Sequence, residues 1–111
     1  MRFTAKHLEK FQAQHPDYRM ELVNGEIVVS SLLGYQAAEV ATEIAIQLGN
    51  WVKPRKLGRV TGSSAGFLLD NFNVRVPSAA FVQAERLRRS PRTFAELAPD
   101  LMVEVKSPTD R

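Results

Sequence analysis

The sequence predicts a single α+β domain in which a long helix packs across a mostly antiparallel mixed sheet. Three observations support this prediction. A hairpin signature follows a short N-terminal helix, a long amphipathic segment follows the hairpin, and short β-prone runs fill the rest of the chain. The 111 residues are enough for one domain with a hydrophobic core and too few for two.

The N-terminal segment, residues 4–14, has the pattern of a short amphipathic helix. Thr4 is a suitable N-cap, and Leu8 and Phe11 recur at helical spacing. The residue before a proline avoids the helical region, so we expect the helix to end before Pro16.

A β-hairpin is predicted from Tyr18 to Ser30, with strands at Tyr18–Val23 and Glu26–Ser30. Asn24-Gly25 stands between them. A two-residue type I′ turn needs positive φ at both central positions, and Asn-Gly is the pair that adopts it most readily.

The long amphipathic segment predicts a helix from Tyr35 to Val52, ended by Pro54. Its apolar residues recur every three or four positions. They are Ala37, Val40, Ala41, Ile44, Ala45, Leu48, Trp51 and Val52.

Beyond this helix the pattern changes to short extended runs. The predicted strands are Gly58–Thr61, Ala65–Leu69, Asn73–Val76, Ala79–Val82 and Leu101–Lys106. A helical turn is expected at 85–89, and a second short helix or a loop at 91–98. Side chains alternate between the two faces of a strand, so Glu104 and Lys106 should share one face.

Composition excludes several classes of function. The chain has no cysteine, which rules out a disulfide framework, a thiolate nucleophile and a cysteine-based zinc site. No apolar run is long enough to span a bilayer, and the N-terminus lacks the apolar stretch of a signal peptide. We therefore predict a cytoplasmic protein.

The net charge of +3 is concentrated in two basic clusters that could contact a nucleic-acid backbone. The residues assigned to this contact are Arg86, Arg88 and Arg89 in one cluster and Lys53, Arg55 and Lys56 in the other. The alternative is that these are solvated loop charges with no ligand.

Glu104-Val105-Lys106 is the pattern with the clearest chemical meaning. A carboxylate can bind a hard divalent cation, and an ammonium group two residues away can orient water or a phosphate. Metal-assisted phosphodiester hydrolysis uses this combination. An exposed ion pair on a strand gives the same pattern, so these three residues alone leave both interpretations open.

The segments around this pattern resemble the Uma-type restriction endonuclease family of the PD-(D/E)XK nuclease superfamily. The resemblance covers nearly the whole chain. Its segments are the 98–111 run containing Glu104 and Lys106, the hairpin at 18–29, Gly62-Ser63-Ser64-Ala65-Gly66-Phe67, and Val76-Pro77-Ser78-Ala79-Ala80-Phe81-Val82.

The resemblance implies a restriction-endonuclease-like fold and a nuclease that cleaves DNA with Mg²⁺ or Mn²⁺. Carried over to this chain, it makes Glu104 a metal ligand and Lys106 the catalytic lysine. Either Glu39 or Glu43 would be the additional acid contributed by a helix, and the sequence does not choose between them.

The chain departs from the family pattern at Ser78 and in its length. Ser78 stands where the first metal-binding Asp is expected, and a neutral hydroxyl is a weak ligand for Mg²⁺. The family's domain continues past residue 111 with a helix and a strand, so we expect an incomplete domain with an open sheet edge. A degenerate nuclease, a non-catalytic nucleic-acid-binding or regulatory domain of the same fold, and a fragment that forms homo-oligomers through this edge all remain as interpretations.

Overall fold

The computed structural model describes residues 2–30 and 34–106, and within them it confirms the predicted α+β class. The predicted connector at 30–34 lies partly outside these residues. The segment after Lys106 lies wholly outside them. The elements in chain order are α1 Ala5–Gln14, β1 Arg19–Val23, β2 Glu26–Ser30, α2 Tyr35–Val52, β3 Gly58–Thr61, β4 Phe67–Leu68, β5 Val74–Arg75, β6 Ala79–Gln83, a 3-10 turn Ala84–Arg86, and β7 Leu101–Val103.

Helix α1 begins at the predicted N-cap, Thr4. The Thr4 hydroxyl accepts from the His7 backbone N–H at 3.5 Å, and the Thr4 N–H donates to His7 Nδ1 at 3.0 Å. This reciprocal capping box satisfies backbone donors that the first helical turn leaves free. Leu8 is buried on the inner face of the helix with 1% of its surface exposed.

The predicted hairpin is confirmed in both position and turn. Strands β1 and β2 pair antiparallel from Arg19 opposite Ser30 to Val23 opposite Glu26. Asn24 and Gly25 have φ values of 52° and 80°, so both adopt the positive φ that the tight turn requires.

The strands form two antiparallel sheets where the sequence predicted one mostly antiparallel mixed sheet. The first sheet has the order β2-β1-β5-β4, and the second has the order β3-β6-β7. β7 ends at Val103, so Glu104 and Lys106 follow the strand and do not lie within it. The 91–98 segment contains no helix, which resolves the predicted alternatives in favour of a loop.

Helix α2 has the predicted bounds and packs on β3 and β6. Ala37, Ala41 and Val52 are buried, but Val40 and Trp51 remain 46% and 59% exposed. The second sheet therefore covers only part of the predicted apolar stripe of α2.

Two buried clusters form the core. One lies beneath α1 and joins Leu8 to Met20, Leu22 and Val74 of the first sheet. The other joins residues of both sheets to the loop before β7: Phe67, Ala80, Val82 and Ala95. In the described part of the chain, neither helix has the length and apolar character needed to cross a bilayer.

Two glycine substitutions test how closely β3 and β6 pack. A Cβ at Gly58 would overlap the backbone carbonyl oxygen of Val82 in β6, whereas a Cβ at Gly49 of α2 meets no atom within 4 Å. We expect Gly58→Ala to lower the free energy of unfolding by about 1–3 kcal/mol. Gly49→Ala should raise it by about 0.5–1 kcal/mol, because alanine favours the helix interior. Urea unfolding of both variants measures these changes, and a Gly58→Ala protein as stable as the parent would contradict the packing described.

Candidate functional site

A cleft of about 1830 Å³ is lined by parts of both helices, by β1 and β3, and by the segment after β7. Its wall is apolar along α2, where Ala41 and Ala45 face it. The charged and hydroxyl side chains that line the cleft include Arg19, Glu21, Arg75, Ser78, Glu104 and Lys106. These residues come from three separate segments of the chain, 19–21, 75–78 and 104–106.

Glu21 is the buried acid of this cleft, with 7% of its surface exposed. Its Oε2 accepts from the Val76 backbone N–H at 2.6 Å and lies 3.6 Å from Arg75 Nε. Its Oε1 lies 4.0 Å from a terminal nitrogen of Arg19. A buried carboxylate needs such donors, because desolvation without them is costly.

Glu104 faces the same cleft with 42% of its side chain exposed, and its Oε2 lies 3.7 Å from Arg19. Burial raises the pKa of Glu104 above its ordinary value of 4.5. The positive charges of Arg19 and Arg75 lower this pKa, and the negative charge of Glu21 raises it. Arg19 is thus in contact with both acids.

Ser78 is buried beside the segment that carries Glu104 and Lys106, with 1% of its surface exposed. Its backbone N–H donates to the Val103 carbonyl at 2.9 Å, and its Oγ accepts from the Val105 N–H at 3.0 Å. Ser78 thus extends the β6–β7 pairing beyond the end of β7. It fixes the backbone between the acid and the lysine.

Lys106 lines the cleft, and its side chain makes no ion pair with any residue in 2–30 or 34–106. It follows Glu104 by two residues, and the Val105 N–H between them is the group that Ser78 binds. The structure therefore places Ser78, Glu104 and Lys106 in one cleft.

Glu39 and Glu43 do not reach this cleft. Both are exposed on α2 and line a shallow depression that adjoins the cleft at Ala38 and Thr42, where Glu43 Oε1 accepts from Gln47 Nε2 at 3.2 Å. The cleft wall is formed by Ala41 and Ala45. At about 100° per residue, side chains two positions away from these alanines point to other faces of the helix. The expected helical acid is not supplied by either glutamate.

Arg86 in the first basic cluster is engaged in the fold. It donates to Asp100 Oδ2 and to the Ala98 carbonyl, each at 2.8 Å. The Gln83 N–H bond and the Arg86 contact lower the pKa of Asp100. Arg88 and Arg89 are exposed on the loop that follows.

The second basic cluster lies at the C-terminal end of α2. Lys53 lines the cleft, and Lys56 is exposed beyond it. The Arg55 guanidinium carbon stacks 3.5 Å from the ring centroid of Trp51, which is 59% exposed. This end of the helix presents both positive charge and aromatic surface next to the cleft.

Sequence reasoning missed Glu21, Arg19 and Arg75. Strand alternation in the hairpin places Arg19 and Glu21 on one face, so the signal was present. A lone Arg-x-Glu in a strand does not indicate which distant segment its face will meet.

Two carboxylates of the cleft are candidate ligands for a hard divalent cation. Carboxylate oxygens are the ligands that Mg²⁺ and Mn²⁺ prefer, and Glu21 and Glu104 both supply them. The Ser78 hydroxyl keeps a second lone pair beside the one that accepts from Val105. Among residues 2–30 and 34–106 no three His, Cys, Asp or Glu side chains are grouped closely enough to hold a metal ion.

The fold resembles that of a solved protein described as a putative nuclease belonging to DUF820 from Anabaena variabilis ATCC 29413. The two share a TM-score of 0.69 at 19% sequence identity. The match covers 83% of this chain and 52% of the other, so the present chain spans about half the length of that protein.

No curated protein matches the chain. A family model does: residues 5–111 match Uma2, described as "Putative restriction endonuclease". This match includes the hairpin, the long helix, Ser78 and the Glu104–Lys106 segment. The chain belongs to the Uma2 family and forms a nuclease-like α+β domain.

Proposed function

We propose that the domain binds a divalent cation, Mg²⁺ or Mn²⁺, between Glu21 and Glu104 and hydrolyses DNA phosphodiesters in the cleft. The observation that carries this proposal is that Glu21 and Glu104 line one cleft together with Lys106 and that both acids contact Arg19. Like charges repel, and a bound cation would add to the compensation that Arg19 and Arg75 already give these two acids. When bound, a divalent cation would polarise a phosphoryl oxygen and activate water.

The chain's own residues have separate roles in this proposal. Glu21 and Glu104 contribute oxygen ligands, and Lys106 donates hydrogen bonds to a phosphate oxygen, where negative charge develops. Ser78 is a positioning residue, because its bond to the Val105 N–H sets the backbone that carries Glu104 and Lys106. Ala41 and Ala45 keep the opposite wall apolar.

The DNA backbone would run from the cleft along the C-terminal end of α2. Lys53 lines the cleft, and Arg55 and Lys56 continue the positive surface beyond it. Phosphate contacts by these side chains release counterions and give salt-dependent affinity. Arg88 and Arg89 could add a second contact, whereas Arg86 is held by Asp100.

A second candidate function is metal-independent DNA binding without cleavage. It is favoured by the arginines of the cleft, because Arg19 and Arg75 already compensate Glu21 and Glu104, and by the neutral Ser78. The two functions predict different responses to chelation, since a metal-free binder would retain DNA in EDTA and lose it with rising salt.

Removing either acid should remove the metal. We expect Glu104→Gln and Glu21→Gln each to weaken Mn²⁺ binding at least about tenfold, because even residues that only orient ligands change metal affinity by roughly 10–100-fold. Calorimetric Mn²⁺ titration measures the affinity, and a plasmid-nicking assay with Mn²⁺ follows hydrolysis in parallel. Glu43→Gln is the matched control and should bind Mn²⁺ as the parent does.

Equal loss in Glu43→Gln and Glu104→Gln would contradict the assignment of the site. Strong Mn²⁺ binding without nicking would separate the metal site from the proposed reaction. Absence of Mn²⁺ binding, together with DNA binding that survives EDTA, would favour the second candidate function.

The raised pKa of Glu104 predicts how metal affinity and stability depend on pH. Because Mn²⁺ needs the ionised carboxylate, its affinity should fall at a higher pH than for an ordinary glutamate. Without metal, the folded protein favours protonated Glu104, so stability should decrease as pH rises above 4.5 through the folded pKa.

Mn²⁺ titrations and thermal melts between about pH 4 and pH 8 measure both effects, because unperturbed Glu titrates at the low end of that range. In Glu104→Gln the part of each pH dependence that is due to this group should disappear. A parent and a variant with identical pH profiles would show that Glu104 is not the titrating ligand.

Restoring an acid at position 78 should strengthen metal binding. Ser78→Asp adds a carboxylate at a site that is 1% exposed, beside the Glu104 segment. We expect it to bind Mn²⁺ at least about tenfold more tightly than the isosteric Ser78→Asn. We also expect it to melt at a lower temperature without metal, because an uncompensated buried charge is costly. Thermal melts with and without Mn²⁺ test this, and equal Mn²⁺-induced shifts in the two variants would contradict it.

A further inference from the structure

We propose that Arg19 is an exchangeable internal counter-ion, whose guanidinium neutralises Glu21 and Glu104 in the metal-free cleft and gives up this place when a divalent cation binds. The inference rests on the proposed function, because it takes these two carboxylates as the metal ligands. It adds a third residue that sets how tightly the metal is held.

The position of Arg19 supports this role. Its two terminal nitrogens lie 4.0 Å from Glu21 Oε1 and 3.7 Å from Glu104 Oε2, so one side chain bridges both acids. Arg75 differs, because among residues 2–30 and 34–106 it pairs with Glu21 and with no other acid. Arg19 therefore stands between the two groups that a bound cation would have to share.

The contacts of Arg19 are also weak for a guanidinium. Both separations exceed 3.5 Å, so they are Coulombic contacts without the short bonds of a fork-to-carboxylate pair. Its Nε is buried and has no hydrogen-bond acceptor among residues 2–30 and 34–106. Displacing this guanidinium therefore costs little free energy, because one of its donors has no acceptor and its two contacts are long.

The strand also allows the exchange. Arg19 is the first residue of β1, and 27% of its side chain is exposed. The side chain can turn towards solvent while the backbone of β1 stays paired with β2. Glu21, in contrast, is held by the Val76 N–H and should remain in place as a ligand.

The first test compares Mn²⁺ affinity in four proteins that fold, as judged by thermal melts. We expect Arg19→Gln to bind Mn²⁺ about 3–10-fold more tightly than the parent, the effect of one partly screened ion pair. Arg75→Gln should give a smaller gain. Arg92→Gln, which removes an exposed arginine of the 91–98 loop, should give none.

The second test observes the exchange in the parent protein, so it does not depend on any variant folding. The ¹H–¹⁵N signal of Arg19 Nε, assigned with Arg19→Lys, should exchange slowly with water in the metal-free protein. Saturation with Mg²⁺ should bring it into fast exchange with solvent. A signal that stays protected at saturation would overturn the proposal.

The outcomes separate this inference from the proposed function. If Mn²⁺ binds and Glu104→Gln abolishes binding, but Arg19→Gln binds no more tightly than the parent, the metal site stands and the counter-ion role is wrong. If neither the parent nor Arg19→Gln binds Mn²⁺, both the proposed metal site and the role of Arg19 are wrong. Tighter binding in Arg19→Gln with release of the Nε signal supports both.

Discussion

The buried carboxylate of Glu21 is the constraint on which the rest of the cleft depends. Its Oε2 accepts from the Val76 N–H at 2.6 Å, which connects β1 to the segment between β5 and β6. A charge with 7% exposure must have compensating partners, and Arg19 and Arg75 supply them from the same sheet. The apolar packing of this sheet under α1 explains its stability, but it does not explain why three charged side chains converge at one edge.

The β6–β7 pairing brings the second half of the site to Glu21. Ser78 continues that pairing past Val103 through its own N–H and hydroxyl, so the backbone around Val105 is held although β7 has ended. Glu104 then lies within reach of Arg19, and its pKa responds to Glu21. A serine at this position therefore supports the geometry of the segment while it removes one negative charge from the cleft.

The distribution of positive charge follows from the same packing. Arg86 donates to Asp100 and to the Ala98 carbonyl, so it connects two parts of the segment between β6 and β7. At the end of α2, Arg55 donates to the Trp51 carbonyl at 2.9 Å and stacks on the Trp51 ring, and Lys53 lines the cleft directly. Two basic clusters that look equivalent in the sequence are thus different in the molecule, because Arg86 pairs with the carboxylate of Asp100 whereas the cluster at the end of α2 borders the cleft.

The sequence by itself determined the local elements and half of the site. Thr4, Asn24-Gly25 and Pro54 act within a few residues of themselves, so the bounds of α1, the hairpin and α2 follow from short-range sterics and hydrogen bonding. The two-residue spacing of Glu104 and Lys106, together with family motifs, also indicated their shared site. Only the tertiary structure decided that Glu21 and Arg19 join them and that Glu39 and Glu43 do not. Those pairings depend on which faces of distant segments meet, and a periodic pattern within one segment carries no information about its partner.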